Sequence, residues 1–286
     1  MSIWHVVILA VVQGLTELLP VSSSAHVVVA EKLLGLNPSS PPMTLLLVML
    51  HTGTMFAVIV YFWSQWRESY FQSMAAFKRF AGHVVLATIL TGLVGEAMIK
   101  IIEKTAFPGV PHAEIEDLFS HLELIAPAMA GAGILILIAG ILDRQSPAGK
   151  MNNLNTKQAG VIGTVQGLCL PFRGFSRSGA TISAGILAGV AKSRAETFSF
   201  ALAVVLTPAV VAREAMRLVH AEHITGTANL ASAAFPSLLG ALFAFLAGLL
   251  ALKWLSRWLE GGRWHFFGIY CLVAAAAVGY LHHLGY

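Results

Sequence analysis

Residues 13–26, QGLTELLPVSSSAH, set Glu17, Ser22, Ser23, Ser24 and His26 into a chain that is otherwise largely apolar. Glu17 is acceptor-only when ionised, so it can hold a divalent cation or take a proton. Gln13 stands one helical turn earlier, and a helix would point both side chains into the same space. Ser23 precedes His26 by one turn, a spacing that suits a hydroxyl activated by a base. A purely structural reading has the serines capping a half-helix and His26 meeting a backbone carbonyl, and it accounts for at least one serine. It gives Glu17 no reason to be there.

A second stretch, residues 170–183, reads LPFRGFSRSGATIS and carries the opposite charge. Arg173 and Arg177 stand among Ser176, Ser178, Thr181 and Ser183, with glycines at Gly174 and Gly179. An arginine at mid-membrane costs ~2.5–3.5 kcal/mol on insertion scales, so it is retained where it has a partner or a wet cavity. A Gly-rich break leading into a helix presents backbone N–H groups and the positive end of the helix dipole to an anion. The guanidinium adds a planar fork suited to phosphate oxygens. The alternative, a cytoplasmic turn with its arginines among lipid headgroups, is weakened by that intramembrane cost. An acid, a hydroxyl with a base, and an arginine-bearing anion loop point to phosphoryl chemistry, in which Arg177 neutralises charge on the phosphoryl group.

The elements that must position these residues are membrane helices. Of the 286 residues, 57% are hydrophobic and 11% charged, too few charges to clothe a soluble domain of this length. A bilayer's hydrocarbon core is roughly 30 Å thick and needs about 20 mostly apolar residues per spanning helix. Runs of that length occur near 43–63, 83–102, 124–142, 198–219, 231–252 and 264–284. Residues 1–36 and 158–192 are also apolar, but each is broken midway by a polar, Pro-containing segment, leaving halves too short to span. Irregular backbone at membrane depth is tolerated where protein or a wet cavity surrounds it, so these regions are predicted to be re-entrant helical hairpins. The phosphate carrier should therefore be a lipid.

The net charge of +4 and pI near 9.2 do not indicate a nucleic-acid partner, because Lys and Arg are scattered through short loops. Cys169 and Cys271 lie in apolar segments far apart and read as small buried residues. The first twelve residues contain no Lys or Arg, so the segment is expected to be retained rather than cleaved as a signal peptide.

Loop charge orients the spans. Arg67, Lys78 and Arg79, then Arg144, Lys150 and Lys157, then Lys192 with Arg194, then Lys253, Arg257 and Arg263 form basic regions. The 103–123 loop carries Glu103, Glu114, Glu116, Asp117 and Glu123. Positive charge marks the cytoplasmic side, which puts the acidic loop and both termini outside. The tetrapeptide VQGL occurs at 12–15 and again at 165–168, each time opening a broken region, and ten residues on from each Gln stand Ser23 and Ser176. Three spans follow each hairpin, so the halves have opposite orientations. The expected architecture is an all-α polytopic membrane protein forming a single integral-membrane domain over 1–286. Six transmembrane helices and two re-entrant helical hairpins make an inverted-topology repeat, about 1–142 and about 158–286, with the site at the repeat interface.

The two motifs, QGLTELLPVSSSAH and GFSRSGATIS, in this order on an all-helical membrane chain, resemble those of the undecaprenyl-diphosphate phosphatases of the bacitracin-resistance type. FSFALAV at 198–204 and the spacing of the spans extend the resemblance over most of the chain. It implies six spanning helices with two re-entrant hairpins, removal of the terminal phosphate of undecaprenyl diphosphate for reuse of the cell-wall lipid carrier, and a divalent cation, Mg2+ or Ca2+. The family's acidic motif falls on Gln13 and Glu17, its serine on Ser23 and its histidine on His26. The second motif falls on Ser176, Arg177, Ser178, Gly179, Ala180 and Thr181. Two departures stand out. Gln13 replaces the first acid, and Phe172 and Arg173 are inserted where the family has Pro-Gly.

The reading is a phosphatase of the bacterial plasma (inner) membrane whose site opens to the outer, periplasmic side. Glu17, Ser23, His26 and Arg177 are the expected catalytic residues, with Glu17 also the expected cation ligand. Gln13, Ser22, Ser24, Arg173, Gly174, Ser176, Ser178, Gly179 and Thr181 are the expected substrate contacts. Ser23, His26 and a metal-activated water remain open as nucleophile. The expected partners are the polyprenyl diphosphate and membrane lipids, and a homo-oligomer is compatible with the sequence. One rival is an inverted-repeat transporter or flippase of a polyprenyl phosphate. Another is an intramembrane serine protease, which leaves Glu17 and two arginines unexplained. His51, Thr52 and Thr54 either line the cavity or pack in the core, as does Glu96. Glu214 with Arg217 reads as a structural pair, Arg213 and Arg217 sit near the outer end of their span, and His282 and His283 mark an interfacial end.

Overall fold

The computed structural model describes residues 2–37, 40–106, 122–145, 154–225 and 230–284. Among them are ten α-helices and no strand. Glu114, Glu116, Asp117 and Lys150 lie outside the described residues, as do the side chains of Arg213, Glu214 and Arg217.

The first broken region forms α1 (Ile3–Leu18) and α2 (Ser23–Leu33). Ser2 caps α1 by accepting from the His5 N–H at 3.3 Å. The helix stops because Leu19 precedes Pro20, and a residue before proline is driven out of the α region; Leu19 is extended, with ψ 151°. The second broken region forms α6 (Thr156–Cys169) and α7 (Arg177–Leu187). Asn155 and Gln158 open α6 with a reciprocal capping box at 2.9 and 3.0 Å, and the break again contains a proline, Pro171.

Both second half-helices are 11 residues long and end alike. Gly35 (φ 64°) and Gly189 (φ 81°) take left-handed backbone, which lets Leu36 N–H reach Glu31 C=O and Val190 N–H reach Gly185 C=O, each at 2.9 Å.

The six predicted spans fall within α3 (Pro41–Tyr70), α4 (Met74–Ala106), α5 (Leu122–Gln145), α8 (Lys192–Thr225), α9 (Leu230–Glu260) and α10 (Trp264–His283). Five of them, all but α8, meet the length and hydropathy needed to cross a membrane among the described residues. The helices outrun the apolar stretches. The basic 64–82 segment expected as a loop is mostly helix, with only residues 71–73 bent between α3 and α4. Apolar length measures the hydrocarbon thickness, whereas Arg and Lys propagate a helix well beyond it.

Packing interleaves the two halves of the chain. Helix α1, which opens the first broken region, lies against α9, and α6, which opens the second, lies against α4. Around this, α5 packs on α10, and α3 packs on both α8 and α9. Phe62 on α3 stacks on Phe200 of α8 at 5.3 Å within the main core, which also buries Leu18, Ile182 and Trp264.

The α1 and α6 contacts depend on missing side chains. A Cβ at Gly14 would stand 2.6 Å from the Ala244 carbonyl oxygen, and one at Gly163 would stand 2.5 Å from that of Ala87. Small residues let helix backbones approach closely where no hydrophobic driving force separates protein from lipid. Gly163→Leu is therefore expected to lower the thermal midpoint of the detergent-solubilised protein by the equivalent of about 1–3 kcal/mol or more. Gly160→Ala, whose Cβ would sit 3.5 Å from the flexible Leu90 tip, should stay near wild type. Equal midpoints for the two variants would contradict this packing account.

Candidate active site

The two breaks meet. The Gly174 N–H donates to Ser24 Oγ at 3.3 Å, and Ser178 Oγ donates to the Leu19 carbonyl at 3.3 Å. Each contact joins one break to the other across about 150 residues of sequence. Gly174 permits this because its φ is 99° and a Cβ there would lie 2.4 Å from the Ile125 carbonyl oxygen on α5. Ser22 is the non-glycine residue with positive φ, at 68°, among the described residues. A serine held in that sparsely populated region marks the turn that lines the site.

Glu17 is the hub. Its Oε2 accepts from Gln13 Nε2 at 3.1 Å and from Ser23 Oγ at 2.5 Å. Its Oε1 faces Arg177 Nη2 at 3.6 Å, and the two side chains are 19% and 18% exposed. One guanidinium nitrogen is thus held by the carboxylate, while Arg177 Nη1 is buried with no hydrogen-bond partner among the described residues. His51, on α3, brings its Nε2 to 4.0 Å from the same Oε2. The expectation that Gln13 and Glu17 share a face holds, and Gln13 acts there as a buried donor that orients the carboxylate.

The Ser23–His26 pair expected from spacing is not formed. His26 Nδ1 lies 2.7 Å from the Ser22 carbonyl and Nε2 lies 2.7 Å from Tyr270 Oη, with the two rings stacked at 5.7 Å. A carbonyl only accepts, so Nδ1 carries the proton and Nε2 accepts from the tyrosine. Both nitrogens are committed, and the Ser23 hydroxyl turns instead to Glu17. Tyr270 comes from α10, 244 residues away, and spacing along one helix could not reveal it.

Several expected substrate contacts have structural duties. Ser176 caps α7 by accepting from the Gly179 N–H at 3.1 Å. Thr181 is fully buried and bonds to the Arg177 carbonyl at 2.8 Å and to Ser199 Oγ at 2.6 Å, tying α7 to α8 rather than facing a ligand. Ser178 is buried against the first break. With Gly179 N–H capped and Ala180 N–H bonded to the Ser176 carbonyl, the first-turn N–H groups of Arg177 and Ser178 remain for an anion. Arg173 is exposed, and it lies near enough to the buried carboxylate of Glu31 on α2 for its charge to act there. Ser22 is buried and Ser24 half-buried, their hydroxyls 3.4 Å apart.

Of the other polar residues, Glu96 pairs with Lys100 on the exposed face of α4, away from the site. Thr52 and Thr54 bond back to their own helix, and His282 pairs with Glu123 at the ends of α10 and α5. Cys169 and Cys271 are buried free thiols, as expected. Tyr270 carries a site interaction that the sequence reading missed. Of the two readings given to His51, lining the cavity or packing in the core, the structure places it beside Glu17.

Among the described residues, no three His, Cys, Asp or Glu side chains come together as a metal site. Glu17 is the carboxylate of the meeting point, and its oxygens already face Gln13, Ser23 and Arg177. The donor set therefore fits a cation carried mainly by phosphate oxygens and touching one carboxylate, not a dedicated protein cage.

Comparison with known proteins converges on one family. Residues 6–277 match the model of the bacitracin resistance protein BacA. The chain is 58% identical to a protein of Acinetobacter baylyi named undecaprenyl-diphosphatase 2, with 97% of each chain covered. It is 34% identical to undecaprenyl-diphosphatase 2 of Burkholderia orbicola and 35% identical to undecaprenyl-diphosphatase 1 of Burkholderia pseudomallei, each over 96% of this chain and 95% of the relative. With both breaks meeting at Glu17 and the match running nearly end to end, the chain belongs to the bacitracin resistance protein BacA family.

Proposed function

We propose that the protein hydrolyses undecaprenyl diphosphate to undecaprenyl phosphate and inorganic phosphate, recycling the cell-wall lipid carrier and conferring bacitracin resistance. The observation that carries this reading is the Ser23 hydroxyl donating to Glu17 at 2.5 Å beside an arginine with a free, buried nitrogen. Glu17 takes the Ser23 proton as Oγ attacks the terminal phosphorus. The Oγ–P bond forms, the bond to the bridging oxygen breaks, and undecaprenyl phosphate leaves with the electron pair. Arg177 and the first N–H groups of α7 balance the charge on the phosphoryl oxygens. Water then releases phosphate from the serine. A divalent cation, Mg2+ or Ca2+, would sit on the diphosphate with Glu17 as its protein carboxylate and would offset phosphate charge.

The reading includes a layout. Six spanning helices and two re-entrant hairpins form an inverted-topology repeat in the bacterial inner membrane, with the site open to the periplasmic side. Supporting it are the matched 11-residue half-helices ending in left-handed glycines, and the crossed packing of α1 on α9 and α6 on α4. The loop charges support the orientation. The flippase reading gains no observation of its own, since translocation has no use for an acid bonded to a serine hydroxyl.

Purified protein in detergent or vesicles is expected to release inorganic phosphate from undecaprenyl diphosphate, and a chelator should reduce the rate at least tenfold. Ser23→Ala should lower the rate by ~10³-fold or more, as loss of an activated nucleophile does. Wild-type rates in Ser23→Ala would remove the serine from the reaction.

A further inference from the structure

We propose that His51, on α3, is the base that activates water in the second half of the reaction, a role no sequence motif assigns. The inference rests on the hydrolytic reading above. A phosphoserine must be attacked by water, and a base must take the water's proton while Glu17 already holds the one received from Ser23. Of the two histidines nearest the site, His26 has both ring nitrogens engaged by the Ser22 carbonyl and Tyr270. His51 has one free. Its Nδ1 lies 2.9 Å from the Leu47 carbonyl, so Nδ1 carries the proton and Nε2 keeps its lone pair.

That lone pair faces Glu17 Oε2, the oxygen that accepts from Ser23, at 4.0 Å. The separation is too long for a direct hydrogen bond and is one that a single water can bridge. The His51 side chain is 38% exposed, which leaves room for that water to exchange. Its position is fixed by the backbone. Thr54 Oγ1 donates to the His51 carbonyl at 2.9 Å, and a Cβ at neighbouring Gly53 would lie 2.2 Å from the Ala241 carbonyl oxygen, so α3 is pressed against α9 at this level. A base on a rigid helix holds its aim better than one on a loop.

The step balances. Water oxygen attacks the phosphorus of phosphoserine, and its proton passes to His51 Nε2. The P–Oγ bond breaks, Oγ recovers the proton held by Glu17, and phosphate departs. The imidazolium then returns its proton to phosphate or solvent, restoring the starting state.

Three measurements on the full chain in detergent test this. His51→Ala is expected to lose about 10²-fold or more in turnover, the usual contribution of a positioned base. Undecaprenyl diphosphate labelled in its terminal phosphate should leave label on Ser23 at higher steady-state occupancy than in wild type. Added imidazole should restore turnover at least tenfold in His51→Ala and have no such effect in His26→Ala. Wild-type turnover in His51→Ala overturns the proposal, and so does a loss accompanied by neither labelled serine nor imidazole rescue. Failure of the wild-type protein to release phosphate at all would overturn the hydrolytic reading itself and this inference with it.

Discussion

Glu17→Gln is expected to lower kcat/KM for phosphate release by ~10³-fold while leaving the protein folded, within the 10²–10⁴-fold range of a lost general base. The substitution keeps the shape of the side chain and removes its charge and half its acceptor capacity. Three groups converge on this carboxylate: Gln13 Nε2 and Ser23 Oγ donate hydrogen bonds to it, and Arg177 Nη2 pairs with it at 3.6 Å. A glutamine offers one oxygen for all three and turns an N–H2 group on one of them. Ser23 then has no group to receive its proton, and no labelled phosphoserine should form in a single turnover. Arg177 loses its counter-charge in a partly buried site, so the thermal midpoint should also fall modestly. Glu17→Asp keeps the charge but withdraws it by one methylene from a 2.5 Å contact, and it should fall between the two. Rapid phosphate release by Glu17→Gln with unchanged KM would show that another group takes the proton.

That prediction differs from one built on the motifs alone, and the difference shows how far sequence reaches. The broken helices were legible because proline, glycine and serine at 20–24 and 171–179 interrupt apolar runs, a local effect. The meeting of the breaks was legible through the VQGL repeat. What the pattern could not contain was the partner of each polar group. Ser23 and His26 share a helix face, yet Tyr270 from α10 claims the imidazole and Glu17 from α1 claims the hydroxyl. Thr181 carries a motif position but is spent on Ser199. Arg173, the inserted arginine, answers to Glu31. The misses at Ser23, His26 and Thr181 are contacts across helices, set by packing geometry rather than by spacing. The helix ends were missed for a different reason, since hydropathy falls off before helix propensity does.

Arg177→Ala should be the second large loss, ~10²–10³-fold in kcat, the scale measured when one oxyanion donor is removed. Arg177 is the first residue of α7, so in the proposed reaction its guanidinium and the helix's own first N–H groups would address the same anion. Its Nη2 is held by Glu17 and its Nη1 is buried and unsatisfied, an arrangement that costs stability in the empty protein. The cost is recovered when a phosphoryl oxygen takes that hydrogen bond, so binding should stabilise the wild type more than the variant. Concretely, pyrophosphate or a non-hydrolysable diphosphate lipid should raise the wild-type thermal midpoint and leave that of Arg177→Ala nearly unmoved, because only the wild type gains binding energy in the folded state. Arg177→Lys should recover little. A lysine is a point charge on a flexible stem, and it cannot hold Glu17 with one nitrogen while presenting another to phosphate. If lysine restored full turnover, charge alone would suffice and the two-sided grip of the guanidinium would have no part in the reaction. If alanine kept full turnover, the anion would have to be held elsewhere. The exposed Arg173 would be the next group to test, although its charge also acts on Glu31.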